Sequence, residues 1–167
     1  MCIRDSNCPE RYLKQVMDIF SQTALEICEG QQWDMEFETR NDVTVPEYME
    51  MIRLKTSVLL SAALKIGAVL GGASEDDARK LYDFGIKMGL AFQLQDDYLD
   101  VYGDSKVFGK NIGGDILCNK KTFMLINALA LADGIQRKEL EKWIASTAFC
   151  PEAMMDIVLP GAAAHGY

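Results

Sequence analysis

Residues 74–102, SEDDARKLYDFGIKMGLAFQLQDDYLDVY, carry the pattern that decides the fold. Ser74 followed by Glu75, Asp76 and Asp77 is a helix-start signature: a capping hydroxyl, then acids beside the positive end of the helix dipole. Ala78, Leu81, Tyr82, Gly85, Met88, Gly89 and Phe92 then recur at steps of three and four, the period of an amphipathic helix. The pattern runs unbroken to Tyr102, so one long helix is expected here.

The same period extends outward in both directions. Pro9 can open a helix that continues through Leu13, Val16, Ile19, Phe20, Ala24 and Ile27. TRNDVTVPE, residues 39–47, breaks it. Thr44 and Glu47 have capping-box spacing and Pro46 suits a first turn, which predicts a second helix over about 46–70, ended by Gly71-Gly72. Downstream, GDSKVFGKNIGGD at 103–115 reads as a glycine-rich loop. A fourth helix is expected over about 120–132, with shorter ones near 137–147 and 151–158. There is no strand alternation and no internal repeat, so the reading is an all-α bundle.

Composition agrees. The 167 residues are 49% hydrophobic and 25% charged, a globular balance with enough chain for a core. The longest apolar stretch, residues 58–70, is interrupted by Ser61 and Lys65, so stable membrane insertion is not expected. The first residues lack the apolar core of a secretory signal and read as an N-terminal edge over 1–8. A net charge of −8 argues against a nucleic-acid partner. It leaves room for a small phosphorylated ligand, because bound divalent cations turn an acidic pocket into an anion site. The five cysteines (Cys2, Cys8, Cys28, Cys118, Cys150) are odd in number and contain no CxxC, which points to reduced thiols in a cytoplasm.

The chemistry concentrates in FQLQDDYLD, residues 92–100. On a helix Gln93, Asp96, Asp97, Asp100 and Asp104 are related by steps of three and four. Carboxylates stacked this way repel one another unless cations bridge them, and hard cations such as Mg2+ prefer oxygen ligands. The competing reading is a solvated acidic face. The apolar and aromatic flanks (Phe92, Leu94, Tyr98, Leu99, Tyr102) instead predict a largely buried helix whose acidic stripe lines a cleft. The loop after it places Lys110 where it could reach a metal-held phosphate, and Asn119-Lys120-Lys121-Thr122 adds positive charge. Lys55, in Arg53-Leu54-Lys55-Thr56, sits among apolar residues and needs a partner, either a diphosphate or a salt bridge. The only histidine, His165, lies in the tail, so triad chemistry is not expected.

Taken in order, GQQWD at 30–34, KT at 55–56, FQLQDDYLD at 92–100, GKNIGGD at 109–115 and NKKT at 119–122 resemble the trans-isoprenyl diphosphate synthases, or polyprenyl synthetases. The resemblance implies an antiparallel helical bundle of the isoprenoid synthase type. Residues 9–167 would be the C-terminal part of one such domain, incomplete in this chain. It implies prenyl transfer: an allylic prenyl diphosphate condenses with isopentenyl diphosphate and pyrophosphate leaves, with Mg2+ as cofactor. Asp96, Asp97 and Asp100 would hold the metal, with Asp34 near its waters. Lys55, Lys110, Lys120 and Gln31 would bind diphosphate, and Lys55, Thr56 and Gln93 would act at the reacting centre. A cytoplasmic homodimer is implied for the full-length protein. The family carries a second aspartate-rich motif that this sequence lacks, so a fragment inactive by itself is expected. A terpene cyclase of the same fold and a non-catalytic partner subunit are the alternatives.

Overall fold

A computed structural model describes residues 8–103, 114–118 and 120–144, and among them every regular element is helical, as the sequence pattern predicts. In chain order these are α1 (Glu10–Thr39), α2 (Val45–Ile52), a π-helical turn (Arg53–Ser57), α3 (Val58–Leu70), α4 (Glu75–Tyr102), α5 (Gly114–Leu117), α6 (Phe123–Leu131) and α7 (Gly134–Ile144). Residues 1–7, residues 104–113 of the glycine-rich loop with Asp104 and Lys110, Asn119, and the helix expected at 151–158 lie outside the described residues, while Gly114 and Asp115, expected in the loop, open α5.

The expected helix starts are present as hydrogen bonds. The Ser74 hydroxyl accepts the Asp77 N–H at 3.1 Å and opens α4. The Glu47 carboxylate accepts the Thr44 N–H at 2.8 Å, while Thr44 Oγ1 accepts the Glu47 N–H at 3.4 Å, closing a capping box before α2. The stop at Gly71-Gly72 is a Schellman motif. Ala73 N–H donates to Ala68 at 3.0 Å, Gly72 N–H to Val69 at 3.1 Å, and Gly72 takes φ +78°. α7, expected near 137–147, starts earlier than the periodicity suggests. Asp133 Oδ1 accepts the N–H of Ile135 and of Gln136, each at 2.9 Å, and Gln136 Oε1 accepts the Asp133 N–H at 3.1 Å. That Asp-x-x-Gln box was legible in the sequence.

The second helix departs from a regular α-helix. Between α2 and α3 the chain takes one wide turn at Arg53–Ser57, which contains Lys55 and Thr56. Single π turns inside α-helices recur at functional sites.

The chain divides into two compact units, residues 1–33 with 50–92 and residues 34–49 with 93–167. In the first, small residues bring helices close. A Cβ at Gly30 of α1 would sit 2.5 Å from the Lys55 nitrogen, one at Gly85 would lie 2.6 Å from the Ser61 Cα, and one at Gly89 2.5 Å from the Ser57 Cα. Val58, Ser57 and Ser61 are fully enclosed there. In the second unit Val101, Leu125 and Leu140 form a core against which Tyr102, Met124, Leu129 and Ile144 pack.

Candidate functional site

The second unit holds the carboxylates of DDYLD. Asp96 and Asp100, one turn apart on α4, are both half-buried. Asp97 is turned about 100° from Asp96 around the helix. It is the most enclosed of the three, with 2% of its surface exposed. Its Oδ2 accepts the Tyr48 hydroxyl at 2.5 Å and the Phe123 N–H at 3.0 Å, and its Oδ1 accepts the Gln93 amide at 3.2 Å. A buried carboxylate is tolerated when its oxygens are satisfied in this way. Burial pushes the Asp97 carboxyl above the ordinary carboxylate range, and the Tyr48, Gln93 and Phe123 donors pull it partly back. Burial and the charge of Asp97 together push the Tyr48 hydroxyl strongly up, so it stays a donor.

The expectation that the aromatic flanks of this helix are buried needs correction. Phe92 is 60% exposed and Tyr98 47% exposed, while Asp97 is enclosed. Hydrogen-bond donors from other segments, invisible to a hydropathy pattern, offset the cost of burying the charge.

Asp100 Oδ2 accepts the Asp115 N–H at 3.1 Å. Burial raises the Asp100 carboxyl, the N–H groups of Asp115 and Gly114 lower it, and the charges of Asp115 and Asp96 raise it. The Asp115 carboxylate in turn pairs with the Lys120 ammonium at 3.0 Å. That hydrogen-bonded pair holds Lys120 above its usual value, with Asp34 adding a smaller attraction. Lys121, 5% exposed, is pushed down by burial against the pull of Glu38. Gln93, Asp34, Asp96, Asp97, Asp100 and Lys120 thus all belong to the second unit.

Gln31, Lys55 and Thr56 belong to the first. Gln31 is exposed on α1, and Lys55 and Thr56 are half-buried in the π turn. Lys110 lies outside the described residues. Sequence reasoning passed over Tyr48 and Asp115. Asp115 was within reach as the last residue of GKNIGGD, but nothing in the sequence marks Tyr48.

Among the described residues no three His, Cys, Asp or Glu side chains converge on one point as a full metal cage. Mg2+ does not require one: it takes one or two protein carboxylates and completes its shell with water and substrate phosphate. Asp96 and Asp100, hard oxygen donors one turn apart, fit that chemistry. Among the described residues no helix is long and apolar enough to cross a membrane, and Cys8, Cys28 and Cys118 are free thiols. An open pocket lined in part by Glu38, Leu129 and Arg137 contains none of the expected site residues.

Comparison with known proteins adds a family. The model of the family described as polyprenyl synthetase matches residues 3–158. A geranylgeranyl diphosphate synthase of Methanosarcina mazei is 52% identical over 122 residues, covering 73% of this chain and 37% of that protein. A crystal structure of a geranylgeranyl pyrophosphate synthase superposes with TM-score 0.85 at 43% identity, over 94% of this chain and 50% of that one. A polyprenyl synthase of Caulobacter crescentus, solved in complex with calcium and isoprenyl diphosphate, has TM-score 0.78 at 28% identity, over 89% of this chain and 46% of that one. The chain therefore spans half or less of the length of each.

Proposed function

We propose that this chain, which belongs to the polyprenyl synthetase family, supplies the diphosphate- and metal-binding part of a prenyltransferase that joins an allylic prenyl diphosphate to isopentenyl diphosphate. The observation that carries this reading is the acidic face of α4 tied to a lysine. Asp96 and Asp100 lie one turn apart, and Asp100 is linked through Asp115 to Lys120. Carboxylates and ammonium together suit a ligand that arrives as a diphosphate with its cation. The complex of the Caulobacter relative with calcium and isoprenyl diphosphate supports that pairing.

Asp96 and Asp100 are the proposed metal ligands, with Asp97 and Asp34 the two further carboxylates of the expected set. The cation, Mg2+ in this proposal, supplies Lewis-acid neutralisation of the leaving diphosphate. Lys120 and Lys110 bind the diphosphate oxygens and stabilise the charge that develops there as the allylic C–O bond ionises. Gln93, whose NH2 donates to Asp97, is proposed to act at the reacting centre because its motif matches the family. Lys55, Thr56 and Gln31 are proposed for the same chemistry because their motifs match the family. No side-chain base is required if pyrophosphate takes the proton. A cytoplasmic homodimer, with this chain alone inactive, completes the proposal.

The test uses the chain joined to the rest of the synthase domain that the proposal requires for activity. Transfer of labelled isopentenyl diphosphate onto geranyl or farnesyl diphosphate is measured with and without Mg2+. Product that depends on Mg2+ and disappears in Asp96→Ala and Asp100→Ala supports the reading. Turnover that survives both substitutions overturns it.

A further inference from the structure

Asp97 belongs to the aspartate-rich motif, yet its geometry differs from that of its neighbours. It is enclosed, and Tyr48, Phe123 and Gln93 donate to its oxygens. An ion that keeps several waters has no room at a carboxylate with 2% of its surface exposed. Its partners come from three segments: Tyr48 from α2, Gln93 from its own helix, and Phe123 from the first turn of α6.

The Phe123 contact closes a ring. Phe123 follows Lys120 by three residues, and its N–H is pinned to Asp97 at 3.0 Å. Lys120 pairs with Asp115 at 3.0 Å. The Asp115 N–H is pinned to Asp100 at 3.1 Å. Asp97 and Asp100 are three residues apart on α4, so both ends of the segment carrying Lys120 are fastened to one helix less than a turn apart. The Tyr48 hydroxyl of α2 holds the same Asp97 carboxylate oxygen.

We infer that Tyr48 and Asp97 form a positioning clamp that sets Lys120 and Asp100 for the diphosphate, and that Asp97 is not itself a metal ligand. This rests on the site reading proposed above. The Tyr48 hydroxyl and the Phe123 N–H share Oδ2, so losing either donor lets the carboxylate turn and loosens the Lys120 segment. Neither residue touches the ligand in this arrangement. Both act through the residues they hold.

The experiment uses the intact protein, Mn2+ as a paramagnetic probe and inorganic pyrophosphate as the anion, with wild type, Tyr48→Phe, Asp97→Asn, the double variant and Asp96→Asn. Mn2+ affinity is read by electron paramagnetic resonance, and pyrophosphate affinity at saturating Mn2+ by calorimetry. The clamp predicts that Tyr48→Phe and Asp97→Asn each weaken pyrophosphate by about tenfold, the scale of outer-shell partners. Mn2+ affinity should stay within about twofold, and the double variant should be no weaker than the worse single, because the two residues act as one unit. If Asp97→Asn loses Mn2+ as Asp96→Asn does while Tyr48→Phe matches wild type, Asp97 is a ligand and the clamp is wrong. If Asp97→Asn does not fold, Tyr48→Phe alone decides: wild-type pyrophosphate affinity overturns the inference. If Asp96→Asn leaves Mn2+ binding intact, the site reading itself fails and the clamp with it.

Discussion

The Tyr48 hydroxyl donates to the Asp97 carboxylate at 2.5 Å across 49 residues of sequence, inside a site where both side chains are 2% exposed. A phenol bonded to a buried carboxylate fixes two helices relative to each other, because each group would otherwise bear the cost of losing water. The relationship also separates the three aspartates by burial: Asp96 and Asp100 are half-buried, and Asp97 is enclosed and engaged by Tyr48, Gln93 and Phe123.

Removing that donor should cost stability as well as ligand affinity. Tyr48→Phe leaves a charged acceptor with one fewer partner, and hydrogen bonds to charged groups contribute about 1.5–3 kcal/mol. A fall of about 2 kcal/mol in urea unfolding free energy is expected, with the m-value unchanged. A variant as stable as wild type would show that the bond contributes nothing net.

The half-buried pair Asp96 and Asp100 should behave in the opposite sense. Asp96→Asn removes a like charge beside Asp100, so the metal-free protein is expected to unfold at an unchanged or higher temperature, by calorimetry. Mg2+-dependent pyrophosphate binding should fall by at least about tenfold, a loss of about 1.4 kcal/mol. Loss of stability without loss of binding would identify Asp96 as structural.

The glycines of the first unit make a contrasting pair of predictions. Gly89→Ala would place a Cβ 2.5 Å from the Ser57 Cα, and Gly30→Ala one 2.5 Å from the Lys55 nitrogen. Backbone lies in the way, so each is expected to destabilise by about 1–3 kcal/mol. Gly67→Ala meets nothing within 4 Å on α3 and should stabilise by up to about 1 kcal/mol through helix propensity. Chemical denaturation of the three variants checks the order.

The capping box at Thr44 and Glu47 gives a pH signature. The Thr44 N–H and hydroxyl and the Arg40 guanidinium hold the Glu47 carboxyl below its usual 4.5. A carboxyl lowered in the folded state stabilises above its unfolded value, and that stability is lost as pH falls from about 4.5 through the folded value. Thr44→Ala should cost about 1 kcal/mol at neutral pH. It should also flatten part of the acid limb of the stability profile below pH 4.5, the backbone N–H and Arg40 being retained, and an unchanged acid limb would show that the Thr44 hydroxyl contributes nothing to it.

Much of this molecule was determined by local pattern. The period of three and four fixed the helices, and Ser74, the Thr44–Glu47 pair and Gly71-Gly72 marked their ends, because caps and turns are made among neighbours in the chain. Five ordered motifs carried the family. Other features depend on residues far apart in sequence. The π turn at Arg53–Ser57 lies against the bare face of Gly30, and no helical period announces it. Exposure was also decided by the fold. A hydropathy pattern buries Phe92 and opens Asp97, whereas the tertiary structure opens Phe92 and encloses Asp97, since donors from Tyr48 and Phe123 are available only once α2, α4 and α6 are assembled. The sequence alone determined that carboxylates would stripe one helix. Only the tertiary structure decided which of them is enclosed, because satisfying a buried charge takes partners that local sequence does not contain.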